Sequence, residues 1–365
     1  MFTYAIYNFI LWGATLSAYA YEKTESKNSQ IIFYVIAFLI PFVFLALRYD
    51  IGTDYQGYVD YFYRINSGDI IPKEPGYLFI NYFIEQLGLD VQWLFVFFGF
   101  FAMLFAYMAL PKEGFTFGVF LFIAIFYLYE GYSAVRQGLS IAIMAYAIRY
   151  IYEKKFWIYF LWAVVAMMFH LITGLLLLLI YPIVNKKINK FFSMFVILFL
   201  FLAIQFTNIA DQLFKMVASL IPQYAWYLNS KFAAEATTSY GLVGPLIKVS
   251  ITLLVMFFKD EIVRKFEYAN IALNMYLFYI ISYIFHLKIS IFGRVEHIFI
   301  FSVILSLTYF IKTFDKRGRV IIIFLIGLFY YLMFMRYIAN GTRAVDNAVY
   351  VNPYQTVLFD RIGEK

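Results

Sequence analysis

Charge-free, largely apolar runs of 17 to 20 residues recur along this chain. Ile31–Leu47, Val91–Leu110 and Phe191–Ala210 each lack Asp, Glu, Lys and Arg. At about 1.5 Å per residue, a helix of this length matches the hydrocarbon core of a bilayer. A closed barrel would instead alternate apolar and polar residues in short strands. The whole chain is 64% hydrophobic and only 14% charged, against about 25% charged in soluble domains. A soluble fold of 365 residues cannot hide that much apolar surface. The expected fold is therefore all-α: a polytopic integral membrane protein of about 11–12 spans, built as a single domain over residues 1–365.

Spans are expected at Phe2–Tyr21, Ile31–Leu47, Val91–Leu110, Phe115–Tyr129, Ser133–Tyr152, Phe191–Ala210, Leu242–Phe258, Ile271–Leu287, Ile291–Ile311 and Val320–Tyr337. Phe2–Tyr21 lacks the basic leader of a signal peptide and is expected to be retained as a span. The basic residues sit in short loops, among them Lys23, Lys27, Lys112, Lys154, Lys155, Lys186, Lys187, Lys190, Lys259, Arg264, Lys265, Lys312, Lys316, Arg317 and Arg319. The positive-inside rule puts these in the cytoplasm. The loops 48–90 and 211–241 and the tail 338–365 then face outward. The net charge of +7 is loop charge of this kind and not a nucleic-acid footprint. With no cysteine in the chain, disulfides and metal–thiolate sites are excluded.

Phe156–Val184 breaks the pattern, with 29 residues between two basic loops, EKK and NKKINK. One helix of that length, about 43 Å, would put the two loops on opposite sides. Two half-spans meeting near His170 would keep both loops on one side. Irregular backbone at such depth is tolerated only inside protein or beside water. A broken or re-entrant segment near residue 170 is therefore expected.

Polar chemistry concentrates in Arg48–Tyr82, where 35 residues hold two arginines, five carboxylates and seven tyrosines. Thr53 with Gln56 suggests a capping box opening a helix over Asp54–Ile65. Glu74-Pro75-Gly76 suggests a second short helix, with Pro75 at its first position and Gly88 at its end. Both are rich in rings and are expected to lie in the membrane interface. Asp54 and Glu74 either complement helix N-termini or belong to a site that includes Arg48.

Further along, Ser133, Arg136, Gln137 and Ser140 follow helical spacing and share one face. An arginine one turn inside a span either snorkels or faces an anionic ligand, and its planar fork suits phosphate. His170 is one of three histidines. It is either a hydrogen-bonded core residue or, at a chain break, a base or phosphate ligand. HLKISIFGRVEHIF brings His286, Lys288, Arg294, Glu296 and His297 to one boundary, with Glu296 set to neutralise Lys288 or Arg294. No metal-site spacing such as HExxH is present, so neither a metal nor another cofactor is expected.

These motifs together resemble the EpsG family, a branch of the Wzy-type bacterial polysaccharide polymerases. The resemblance rests on RYDIGTDYQGY at Arg48–Tyr58, EPGY at Glu74–Tyr77, VRQGLSIAI at Val135–Ile143, Phe169-His170, FGRVEHIF at Phe292–Phe299 and NPYQTVLF at Asn352–Phe359. It implies a metal-independent membrane glycosyltransferase in the bacterial inner membrane, with its active site facing the periplasm. The donor would be a growing glycan on undecaprenyl diphosphate. The acceptor would be the terminal hydroxyl of a single lipid-linked repeat unit. Arg48, Arg136, Gln137 and Arg294 are the candidates for the diphosphate. Tyr55 and Tyr77 are candidates for the sugars, and Glu74, Asp54 and His170 for the base. Implied partners are the lipid-linked oligosaccharide, the lipid bilayer, a flippase and a chain-length regulator, with no nucleic acid. The competing functions are a flippase for lipid-linked sugars, an O-antigen ligase and a sugar acyltransferase. A flippase would usually show internal repeats, and none is evident here.

Overall fold

The computed structural model describes residues 2–209, 212, 215, 216, 242–345 and 349–359. Most of the loop expected at 211–241 lies outside them. The described helices run α1 Phe2–Lys23, α2 Lys27–Ala46, α3 Tyr55–Asn66, α4 Pro75–Gln86, α5 Gln92–Ala109, α6 Phe115–Leu121 continued by a π-helix Phe122–Gly131, α7 Val135–Tyr152, α8 Phe156–Met167, α9 Leu171–Leu179, α10 Tyr181–Val184, α11 Lys190–Phe206, α12 Val243–Phe257, α13 Lys259–Lys265, α14 Ala269–His286, α15 Phe292–Ile298, α16 Ile300–Ile311 and α17 Lys316–Asn340. Every expected span recurs in these helices, Ile291–Ile311 as the pair α15 and α16. Among the described residues α2, α5, α14 and α17 are long and apolar enough to cross a membrane, and α15 with α16, bent by 46°, makes a fifth if the pair is one span. The α6–π segment, α8, α11 and α12 are shorter apolar helices. The chain is an all-α, polytopic membrane protein.

Two compact units divide the fold: Met1–Tyr181 with Phe314–Lys365, and Pro182–Thr313. In the first unit, α1 packs along α2, α2 along α5 and α5 along α7. Pro41 lies inside α2 and has no amide hydrogen, so the carbonyl of Ala37 loses its helical donor. The Tyr107 hydroxyl supplies one at 2.7 Å. At the end of α1 the Glu22 carboxylate accepts from the amides of Gly114 and Thr116, opening α6 with an anion at its positive end.

The expected break at His170 is a hairpin. The Tyr159 hydroxyl of α8 donates to the Leu177 carbonyl of α9 at 2.7 Å, and Phe156 packs on Tyr181 with ring centroids 5.0 Å apart. Residues 18 apart would be about 27 Å apart along one continuous helix, so the chain doubles back. Gly174 allows the close approach, because a Cβ there would fall 2.6 Å from the Ala163 carbonyl oxygen.

The C-terminal segment folds back over the start of the polar stretch. Tyr49 N–H donates to Gln355 O (3.1 Å), Val357 N–H to Leu47 O (3.0 Å) and Gly52 N–H to Tyr350 O (2.9 Å). Arg48 pairs with Thr356 as an isolated antiparallel bridge. In the second unit α14 is the most enclosed of the candidate spans. Lys259 donates to Asn274 Oδ1 at 2.7 Å, and the Asn274 amide donates to the carbonyls of Val184 and Lys186.

Candidate active site

Arg136 lies in the first turn of α7. Its guanidinium stands 4.7 Å from the ring centre of Tyr77 and 5.7 Å from that of Tyr58. Its Nη1 is 3.4 Å from Glu74 Oε2, and both side chains stay partly exposed, at 28% and 19%. Tyr58 comes from α3, and Glu74 and Tyr77 from the start of α4. Pro75 occupies the first helical turn of α4 as expected, yet Glu74 makes no side-chain cap bond. Its carboxylate turns to Arg136 instead of the helix N-terminus. An arginine fork with one carboxylate partner and two aromatic faces has the chemistry to hold an anion.

The start of α4 is fixed by the α8–α9 break. The amides of Gly76 and Tyr77 both donate to Met168 O, at 2.9 and 3.3 Å. Ser140 of α7 donates to Ala166 O at 3.0 Å, so α7 is tied to the same turn. EPGY, VRQGLS and FH, distant in sequence, thus meet. His170 is the N-cap of α9: its Nδ1 lies 2.7 Å from Thr173 Oγ1 and accepts from Thr173 N–H at 3.4 Å. That bond occupies the Nδ1 lone pair, which leaves the ring hydrogen of the neutral form on Nε2.

The other expected residues fall elsewhere in the first unit. Arg48 is fully buried. Its guanidinium lies 4.5 Å from the Phe95 ring centre and 5.4 Å from that of Tyr132, and Nη1 donates to Leu45 O at 3.1 Å. Burial weakens its hold on its proton. It ties the start of the loop to α2 and α5. Tyr55 is also buried, stacked on Phe95 with centroids 4.6 Å apart, and burial pushes its hydroxyl up to about 12. Tyr77 is buried beneath Arg136, so neither of these rings presents an open face. Burial likewise raises the hydroxyls of Tyr58 and Tyr77. The exposed rings of α3 and α4 are Tyr61, Tyr63, Phe79, Tyr82 and Phe83. Gln137 is buried in α7.

Asp54 precedes α3 without a side-chain cap bond, close enough to Tyr58 for its charge to raise that hydroxyl. The Gln56 side-chain amide donates to Asp50 Oδ1 at 2.7 Å. Asp50, at φ 51°, also pairs with Arg343.

In the second unit Arg294 is exposed on α15. Glu296 is buried and meets Lys248 and His286, where the sequence suggested Lys288 or Arg294. Lys248 carried a signal of its own, as the only charge inside the otherwise apolar run Leu242–Phe258. Among the described residues no three His, Cys, Asp or Glu side chains gather as a metal site.

The model of the EpsG family matches residues 31–356 of the 365. That span takes in every candidate site residue from Arg48 to Arg294. No curated protein and no solved structure matches the chain.

Proposed function

This chain belongs to the EpsG family, and from that premise we propose that it polymerises lipid-linked oligosaccharide repeat units. The growing glycan leaves undecaprenyl diphosphate and joins the terminal sugar hydroxyl of a new lipid-linked unit, at the periplasmic face of the bacterial inner membrane. Family membership and apolar helices support a membrane-embedded role in polysaccharide polymerisation in general. The finer reading rests on Arg136. Displacement at an anomeric carbon releases a diphosphate, whose negative charge grows in the transition state. A preorganised cation beside the leaving group stabilises that charge, and a guanidinium fork does so without a metal. Glu74 holds the fork in place, and Tyr58 and Tyr77 flank it. A diphosphate entering beside Glu74 takes over the cation.

His170 uses its accepting nitrogen on the α9 cap, and Glu74 is paired with Arg136. Each is better suited to shaping the site than to taking a proton. Arg48 supports the loop that carries α3, with Gln137 beside Arg136 on α7. The exposed rings of α3 and α4 offer sugar-stacking surface. Arg294 is proposed as a diphosphate-binding cation on the family resemblance alone. A flippase and a chain-length regulator are the proposed protein partners.

Purified protein given a lipid-linked repeat unit is expected to produce a ladder of lengths, and Arg136→Ala to slow it about 100-fold or more at normal protein level. Flipping without lengthening would favour a transporter and overturn the proposal. Transfer onto a different acceptor would favour a ligase.

A further inference from the structure

Arg48 places a guanidinium in the core of the first unit, and its bonds within the protein do not answer its charge. The side chain is 0% exposed. Its Nη1 donates to Leu45 O, but Nε and Nη2 are buried with no acceptor among the described residues. The hydrogens on Nε and Nη2 leave one edge of the planar group side by side. That edge is the fork by which arginine takes an anion through two parallel bonds. The Tyr55 ring stacks on Phe95, the ring that Arg48 also lies against. The Tyr55 hydroxyl is likewise buried without an acceptor, and Arg48 acts on it more than any other charge.

The surroundings are aromatic and not acidic. The groups that act most on Arg48 are the hydroxyls of Tyr132, Tyr55, Tyr127 and Tyr58, with no carboxylate among them. Asp50, two residues on, turns to Arg343 and Gln56. Other hydroxyls of this cluster are committed elsewhere. Tyr7 donates to Val351 O at 2.9 Å, Tyr127 to Pro41 O at 2.7 Å and Tyr354 to Phe44 O at 2.8 Å. Tyr132 bonds to the Tyr127 hydroxyl at 3.0 Å. Backbone closes over the same place, where Tyr49 N–H meets Gln355 O and Val357 N–H meets Leu47 O. The bland role for Arg48 is to tie the end of α2 to α5. A methionine would fill that space without burying a charge, and a buried ion without a counter-charge costs far more than one hydrogen bond returns.

We propose that the Nε–Nη2 edge of Arg48 binds one small monovalent anion, of the size and charge of chloride, enclosed as the first unit folds. One guanidinium balances one negative charge, so a halide suits the fork and a phosphate dianion does not. A diphosphate tethered to a lipid has no path to a fully buried side chain. The site is therefore distinct from that at Arg136, and it stands whether or not the chain is a polymerase. The anion would link the start of the loop at 48–90 to the core and to the C-terminal segment that covers it.

An anion held by the folded chain and released on unfolding makes the melting temperature depend on its concentration. The test melts the full-length protein in detergent, in mixtures of sodium chloride and sodium gluconate at fixed ionic strength and pH. The melting temperature is expected to climb about 2–4 °C for each tenfold rise in chloride once the site fills. Bromide should do the same, and Arg48→Met should remove the slope. In crystals grown in bromide, an anomalous-scattering peak is expected at the Nε–Nη2 edge. That measurement needs no variant, so it decides the matter even where Arg48→Met does not fold. A melting temperature indifferent to halide, an equal slope in folded Arg48→Met, or bromide-grown crystals without a peak at Arg48 would each overturn the proposal. The first and last results would assign the fork to water.

Discussion

The amide of Gly76 donates to the carbonyl of Met168 at 2.9 Å, and this bond joins the start of α4 to the turn of the α8–α9 hairpin. Glu74, two residues earlier, owes its place beside Arg136 to that junction. A Cβ at position 76 would fall 2.9 Å from both the Cβ and the carbonyl oxygen of Met168. Backbone cannot yield as a flexible side chain does, so Gly76→Ala should push α4 off the hairpin. The expected cost is about 1–3 kcal/mol, read as a lower melting temperature in detergent and shorter polymer. An unchanged melting temperature would show that the junction adapts.

Arg136 separates charge from geometry. Arg136→Lys keeps a cation between Tyr58 and Tyr77 but loses the planar fork. Arg136→Ala loses both, and its turnover should fall about 100-fold or more. Arg136→Lys should fall between that and wild type. Tyr58→Phe keeps the ring beside the guanidinium and should stay active, whereas Tyr58→Ala removes a cation–π contact of about 1 kcal/mol. A Lys variant as active as wild type would assign the site a point charge and not a fork.

The C-terminal segment should matter more through its backbone than through its charge. Arg343 pairs with Asp50, but its side chain is 59% exposed, and such a pair contributes less than about 1 kcal/mol. Arg343→Ala is therefore expected to be nearly silent. Tyr354→Phe removes the hydroxyl that donates to Phe44 O at 2.8 Å and should cost about 1 kcal/mol. Truncation ahead of Asn352 removes the strand pairing that encloses Arg48 and should be far more damaging. Thermal melting of the three variants ranks them, and a truncated chain as stable as Arg343→Ala would contradict the order.

Much of this arrangement was legible in local pattern. Apolar runs give the helices because backbone groups in lipid must be satisfied within the segment. The hairpin at His170 was legible because EKK and NKKINK carry the same charge on both sides of one long run. Pro75 marked the start of α4 through its fixed φ. What stayed hidden depends on contacts between distant segments. The bond from the Gln56 side chain to Asp50, held at positive φ, is one that no local pattern announces. Arg48 sits among acids in sequence, yet the folded-back segment at Gln355–Val357 and the rings of Phe95 and Tyr132 enclose it. The sequence left Glu74 between a helix cap and a site residue, because its partner Arg136 lies 62 residues on.

Lys259 gives a pH-dependent test of the second unit. It is buried at the start of α13 and donates to Asn274. Burial lowers its pKa from the usual 10.5 to about 8. Below pH 8 the lysine is charged in both folded and unfolded chains, and the folded chain carries the whole cost of burying the charge. Between about 8 and 10.5 the folded state releases its proton while the unfolded chain keeps it, so stability rises with pH. The full gain is at most about 3 kcal/mol. Lys259→Met should remove this component of the pH dependence, while losing the bond to Asn274 at every pH. Melting of both proteins in detergent at about pH 7.5 and 10 measures it. Wild type should gain on the variant at the higher pH, and an equal difference at both would mean that Lys259 titrates in the folded chain as it does in water.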